Sequence, residues 1–258
     1  MTDAADFFNE PNEHAALDDP IRTALRDMIL ARNDATPRHQ QVELGPSEVA
    51  HPCMRKMAYG IAQVPPTNPP YDPLPSIIGT ATHKWLESAA QHANEVLGYE
   101  RWICEMRVEV TPGLTGSCDL YDCDTQTVID WKIPGQLRFA KYKKDPGPVY
   151  KAQVQMYGLG FTRLGYPVNT VAIAFVPRGK TLRSMHVWSA PYDEAVAQLA
   201  VQRREAVIAM LNDVDAENNP DRYQWFPTSP YDCEFCPWWS PRPSTGFQCD
   251  GKETTQGK

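Results

Sequence analysis

Residues 116–132, GSCDLYDCDTQTVIDWK, constrain the fold of this chain more than any other stretch. Two short runs flank a polar turn, Asp122-Cys123-Asp124-Thr125, and together they predict a β-hairpin. Successive side chains of a strand point to opposite faces. Val128, Asp130 and Lys132 therefore share one face, and Ile129, Trp131 and Ile133 the other. Asp119, Asp130 and Lys132 can then gather at one end of a hairpin whose opposite face is expected to be core. Carboxylates hold hard divalent cations, and a lysine steadies a nucleophilic water or a developing negative charge. The group suits metal-assisted phosphodiester cleavage. The same residues also describe a surface hairpin with ordinary charges, because D-x-K tripeptides are common.

A chain of 258 residues, 42% hydrophobic, can bury a full core as one domain with an appendage or as two small domains. Its formal net charge of −7 argues against a protein that simply coats nucleic acid, but leaves room for an enzyme with a local basic groove. No apolar run reaches transmembrane length and the acidic N-terminus has no signal-peptide pattern, so a soluble, cytoplasmic protein without membrane contact is expected. Seven cysteines in such a chain do not suggest a secreted disulfide framework. Metal ligation is the better account of any closely spaced subset.

Residues 1–45 turn from acidic to helical, with Ile21, Leu25, Met28 and Leu30 on an amphipathic pattern. Cys53 stands beside Arg55 and Lys56, which favour a thiolate; a buried small hydrophobe is the alternative. After a proline-rich loop at 65–75, a helix over 79–97 places His83 and Glu87 four apart on one face. Trp85, Ala89, Val96 and Leu97 are assigned to its core side. His83 is either an ordinary hydrogen-bonded histidine or a metal ligand, with Glu87 orienting it. Residues 101–110 alternate, with Trp102, Cys104, Met106, Val108 and Val110 facing one way. Cys104, Cys118 and Cys123 have no ligand-like spacing and are read as structural.

Residues 136–151 collect Arg138, Lys141, Lys143, Lys144 and Lys151 with Phe139, Tyr142 and Tyr150 interleaved. Basic groups for phosphates and rings for stacking suit a single-stranded nucleic acid; a solvated loop competes with that reading. A helix over 149–164 carries Gln153 and Tyr157 on one face. Strands follow at 169–176 and 184–189, then a helix from Pro191 to Asn212 with Ala195, Leu199, Ala206 and Met210 as its buried stripe. The last part holds Cys233, Cys236, Trp238, Trp239 and Cys249, and residues 251–258 are expected to be a disordered tail.

In order, the chain presents Cys53, G-x-x-x-H ending at His83, G-x-x-D ending at Asp119, D-x-K from Asp130 to Lys132, Q-x-x-x-Y from Gln153 to Tyr157, and C-x2-C with a further cysteine. This order resembles the RecB-type branch of the PD-(D/E)XK nuclease superfamily. Within it, the chain is most similar to the iron–sulfur exonucleases typified by the Cas-four proteins of CRISPR adaptation and their phage-encoded relatives. The resemblance implies an α/β fold, a mixed central sheet flanked by helices, and a metal-dependent DNA exonuclease acting on single-stranded ends. It implies that His83, Asp119, Asp130 and the Trp131 carbonyl hold Mg²⁺ or Mn²⁺, with Lys132 activating water and Glu87 assisting. Gln153 and Tyr157 would contact the substrate backbone and brace the site. Cys53, Cys233, Cys236 and Cys249 would hold a [4Fe–4S] cluster, joining residues 46–60 to 225–250 within a nuclease domain of residues 46–250. Cys236 and Cys249 are separated by twelve residues, more than the family usually has, which keeps a structural zinc as an alternative. A non-cleaving DNA-binding module of recombination, or a CRISPR-adaptation factor with protein partners, is the other functional class.

Overall fold

The computed structural model describes residues 20–35, 44–69 and 71–252. The chain forms two units, residues 1–41 with 73–77 and residues 42–72 with 78–258. In the first, helix α1 (Pro20–Asp34) buries none of its residues, and Ile21, Leu25 and Met28 are exposed.

The second unit is built on a five-stranded sheet in the order β1-β2-β3-β4-β5. Strands β1 (Trp102–Thr111), β2 (Leu114–Asp122) and β3 (Thr127–Lys132) form an antiparallel meander. β4 (Thr170–Phe175) runs parallel to β3, and β5 (His186–Pro191) returns antiparallel to β4. A parallel pair needs a long crossover, and the one between β3 and β4 contains α5 (Gln136–Tyr142) and α6 (Pro148–Arg163). This is the mixed sheet with flanking helices that the sequence predicts.

Helix α6 is buried on every side from Gln153 to Phe161 because it lies between two cores. Val154, Tyr157 and Phe161 pack on the sheet with Val108, Tyr121, Val128 and Phe175. Met156 and Leu159 pack away from it, with residues of α2 (Pro46–Val49), α3 (Met54–Ile61) and α7 (Glu194–Val214). The close approach to β1 depends on a glycine: a Cβ at Gly160 would lie 2.6 Å from Cγ2 of Val108. Gly160→Val should therefore cost about 3 kcal/mol through overpacking, read as a lower denaturant midpoint at unchanged slope.

The packing corrects several expectations. Val128 and Asp130 point under α6 and are buried, whereas Ile129 and Trp131 are half-exposed. The carboxylate thus lies on the core face of the hairpin, not opposite it. The alternation expected along β1 also breaks. Ile103 pairs with Tyr121 and Met106 with Cys118, and all four join the same core, a step of three on each strand. The break falls at Glu105, whose φ is +49°. Cys104 consequently turns the other way, its Sγ 3.9 Å from the Glu87 carbonyl.

Helix α4 (Leu74–Leu97) starts earlier than expected, because Pro75 is tolerated in a first turn. Its covered stripe is Thr82, His83, Leu86, Glu87, Ala90 and Asn94, while Trp85 is 65% exposed. Polar anchoring explains the inversion. Asn94 Oδ1 accepts from the N–H groups of Arg101 (3.0 Å) and Trp102 (2.9 Å), and its Nδ2 donates to the Trp102 carbonyl (2.8 Å).

In α7 the buried residues are Ala197, Ala200, Val201 and Val207, and Leu199 is exposed. Arg203 and Arg204 interrupt that stripe in the sequence, yet both tuck in, donating to the Val49 and Gly113 carbonyls. Gly251 is buried, and the Thr228 hydroxyl bonds the Lys252 carbonyl, so the ordered chain runs past the boundary expected at 250. The rest of the expected tail, 253–258, lies outside the described residues.

Candidate active site

The site forms where β2 and β3 meet under α4 and α6. Asp119 uses its two oxygens in two directions. Oδ1 lies 3.1 Å from Nδ1 of His83 on α4, and Oδ2 accepts from the Trp131 N–H on β3 at 2.7 Å. Beside it, Asp130 Oδ2 is 2.6 Å from the Lys132 ammonium, which also sits 4.9 Å from the Tyr150 ring centroid. Burial raises the Asp130 carboxyl above the ordinary range in spite of the lysine. Burial acts against a proton on His83, but its bond to Asp119 and the charges of Asp119 and Asp130 outweigh this and raise its pKa.

On the α6 side, Gln153 Nε2 donates to the Tyr157 hydroxyl at 3.3 Å, and both residues are buried. Burial, reinforced by the Asp130 charge, keeps the Tyr157 phenol protonated. Gly116 allows this closeness: a Cβ there would stand 2.7 Å from Pro46 Cδ and 3.2 Å from Tyr157 Cε1. The glycine of G-x-x-D is a packing residue that lets α2 and α6 close on the strand carrying Asp119.

His83 and Asp119 come together as the motif order implies. A third group joins them that the sequence reading passed over: ligand atoms of His83, Glu105 and Asp119 lie within 4.8 Å of one another. One imidazole and two carboxylates fit a divalent cation. Glu105 occupies an exposed position of an alternating strand, so nothing local marks it; only the backbone break reveals it. Glu87 lies one turn from His83 and accepts from Gln91 Nε2 at 3.2 Å.

Of the five basic residues, Lys141, Lys143 and Lys144 are exposed along α5 and the turn after it. Lys151 is paired with Asp145 at 2.7 Å. Arg138 stacks over Phe235 at 4.3 Å from the ring centroid. Arg178, also missed from sequence, holds the chain leaving β3, donating from Nε to the Ile133 carbonyl at 2.9 Å.

Cys53, Cys233, Cys236 and Cys249 line one cavity with His51, Lys56, Tyr231, Trp239 and Gly251, and all four thiols are free. Burial and the three neighbouring thiols push Cys233 up to about 11. Donors already face the sulfurs: the Lys56 N–H reaches Cys53 Sγ at 3.5 Å, and the Gly251 N–H (3.4 Å) and Arg55 Nη1 (3.6 Å) reach Cys249 Sγ. Cys104, Cys118 and Cys123 are not among the residues lining this cavity.

None of the described helices is long and apolar enough to cross a membrane. No curated protein matches the sequence. Among solved structures, the protein SSO0001 is 18% identical, with a TM-score of 0.48 over 84% of this chain and 94% of its own. An alkaline exonuclease from Laribacter hongkongensis is 16% identical, with a TM-score of 0.49 over 71% of this chain and 95% of its own. A phage-related exonuclease from Haemophilus somnus 129PT is 15% identical, with a TM-score of 0.44 over 64% of this chain and 82% of its own. Residues 81–240, more than half of the chain and nearly all of the site just described, match the PD-(D/E)XK nuclease superfamily. The chain belongs to the PD-(D/E)XK nuclease superfamily.

Proposed function

We propose that the protein is a divalent-metal-dependent DNA exonuclease that hydrolyses phosphodiester bonds at strand ends. The observation that carries this is the Asp119–Asp130–Lys132 group, with Lys132 held 2.6 Å from Asp130 beside an imidazole and a further carboxylate. His83, Asp119 and Asp130 would hold Mg²⁺ or Mn²⁺, which when bound supplies Lewis-acid stabilisation of the phosphoryl oxygens. Lys132 positions the attacking water and offsets charge on the phosphorus-bound oxygens. Its ammonium is oriented twice, by Asp130 and by the face of Tyr150. Gln153 and Tyr157 keep the hairpin in place from α6, and Lys141, Lys143 and Lys144 take the phosphates of the strand leading in.

The preference for single-stranded ends, and a role in recombination or spacer adaptation, rest on the resemblance of the motif order to that of RecB-type enzymes. The cysteine cavity belongs to the same reading. Cys53, Cys233, Cys236 and Cys249 would hold a [4Fe–4S] cluster, which requires thiolates and would offset the upward push on Cys233. Iron and acid-labile sulfide in anaerobically purified protein would support the cluster; zinc alone would replace it with a structural zinc site.

The deciding test uses end-labelled linear and covalently closed circular oligonucleotides with Mn²⁺. Stepwise loss of linear strands with circles intact is expected; cutting of circles would make the enzyme an endonuclease, and no cutting of either would remove the nuclease reading. With the same oligonucleotides, reversing Lys141, Lys143 and Lys144 to glutamate should weaken binding and flatten its salt dependence. The log–log slope falls by about 0.7 for each single-strand phosphate that the protein no longer neutralises. An unchanged slope would place the DNA path elsewhere.

A further inference from the structure

The break in β1 has a chemical counterpart. The β1–β2 ladder pairs Cys104 with Leu120 and Met106 with Cys118, which sets Glu105 opposite Asp119 between them. Glu105 adopts a left-handed backbone, φ +49°, inside a strand, where a non-glycine residue rarely does so. The extra step keeps the apolar residues on both sides of it, Ile103 and Met106, in the core. What the distortion gains is at the site: the Glu105 carboxylate joins His83 and Asp119 with ligand atoms within 4.8 Å.

We infer that Glu105 is a metal ligand, and that with His83 and Asp119 it forms a divalent-cation position that does not need Asp130. The inference rests on the metal-dependent reading above. Asp130 is engaged elsewhere, 2.6 Å from Lys132, whereas Asp119 presents one oxygen toward His83 and the other toward β3. Asp119 is thus placed to serve a cation on the α4–β1 side through Oδ1 while remaining in the D-x-K group. An imidazole beside two carboxylates suits Mn²⁺ better than Mg²⁺, which prefers oxygen ligands alone.

The test is Mn²⁺ binding by the metal-free full chain, followed by calorimetry and by the loss of free Mn²⁺ signal in electron paramagnetic resonance. Asp130→Asn is expected to retain at least one bound Mn²⁺. Glu105→Gln should lose one Mn²⁺ relative to the parent, or bind it at least tenfold more weakly. Glu105→Gly, which suits the left-handed backbone, serves as the folding control. It should melt in chelator at or above the parent temperature and still show the Mn²⁺ defect. Parent-like Mn²⁺ binding by Glu105→Gln and Glu105→Gly, or no bound Mn²⁺ in either the parent or Asp130→Asn, would overturn the inference. Because binding is read without cleavage, a parent that binds Mn²⁺ through Glu105 but cuts no DNA would sink the nuclease reading and leave this site standing.

Discussion

Lys132→Ala is expected to lower DNA cleavage by about 10³-fold while leaving Mn²⁺ binding within a few fold. Losing one preorganised group that stabilises transition-state charge typically costs about 10²–10³ in rate, and in the proposed mechanism the group that orients water goes with it. The substitution has a second signature. Asp130 is only 4% exposed, and its carboxyl already lies above the ordinary range with the lysine present. Without Lys132 the charged form loses its counter-ion in a buried place, so the folded-state pKa rises further above the unfolded value. The folded protein then binds more protons than the unfolded chain between those two values, and stability falls as pH rises through them. Melting in chelator should show Lys132→Ala losing ground to the parent protein between mildly acidic and mildly alkaline pH. Cleavage within tenfold of the parent would remove Lys132 from the mechanism.

Gly251→Ala should abolish the proposed metal centre of the cysteine cavity almost as completely as Cys53→Ser should. Gly251 has a φ of +74°, and a Cβ there would lie 2.8 Å from Cys233 Sγ and 3.2 Å from the Trp239 ring. Its N–H also donates to Cys249 Sγ at 3.4 Å. Alanine must therefore either push Cys233 out of place or withdraw the backbone that supports Cys249. Purified Gly251→Ala should be pale and contain little metal, and its melting temperature should fall by several degrees. Serine at Cys104 or Cys123, half-buried and away from the cavity, should leave colour and metal content unchanged. A fully loaded Gly251→Ala would mean that the sulfurs do not close around one centre.

The parts of this molecule legible in its sequence are those governed by local periodicity and by spacing along the chain. Turn chemistry and β-branched residues placed the hairpin and the strands on either side of it, and motif order placed His83, Asp119, Asp130 and Lys132 in one group. The four cysteines drawn from both ends of the domain line a single cavity. Local periodicity fails where tertiary packing supplies what it cannot contain. Trp85 looks like core but points to solvent, because Asn94 pins the opposite side of α4 to β1 through three hydrogen bonds. The buried stripe of α7 is hidden by two arginines that reach main-chain carbonyls. Glu105 was invisible for a different reason. Its role depends on a backbone excursion that no strand-forming pattern encodes, opposite a residue fourteen positions later.

The way the C-terminal segment is seated also has a consequence for biosynthesis. The helix after Cys53 and the loop that follows are completed by partners from the far end of the chain. The Tyr59 hydroxyl bonds the Gly246 carbonyl, the Trp238 indole N–H bonds the Val64 carbonyl, and the N–H groups of Thr67 and Asn68 bond the Pro237 carbonyl. A ribosome adding about 5–20 residues per second takes roughly ten seconds or more to travel from Cys53 to Cys249. During that interval the sheet and α6 can assemble, but Cys53 lacks its full set of partner thiols until Cys249 is made. Assembly of the proposed metal centre must wait until Cys249 has been made, onto a nuclease core that can already have formed. Newly made protein would then pass through a stage with its catalytic hairpin in place and its thiols open to delivery factors and oxidants alike.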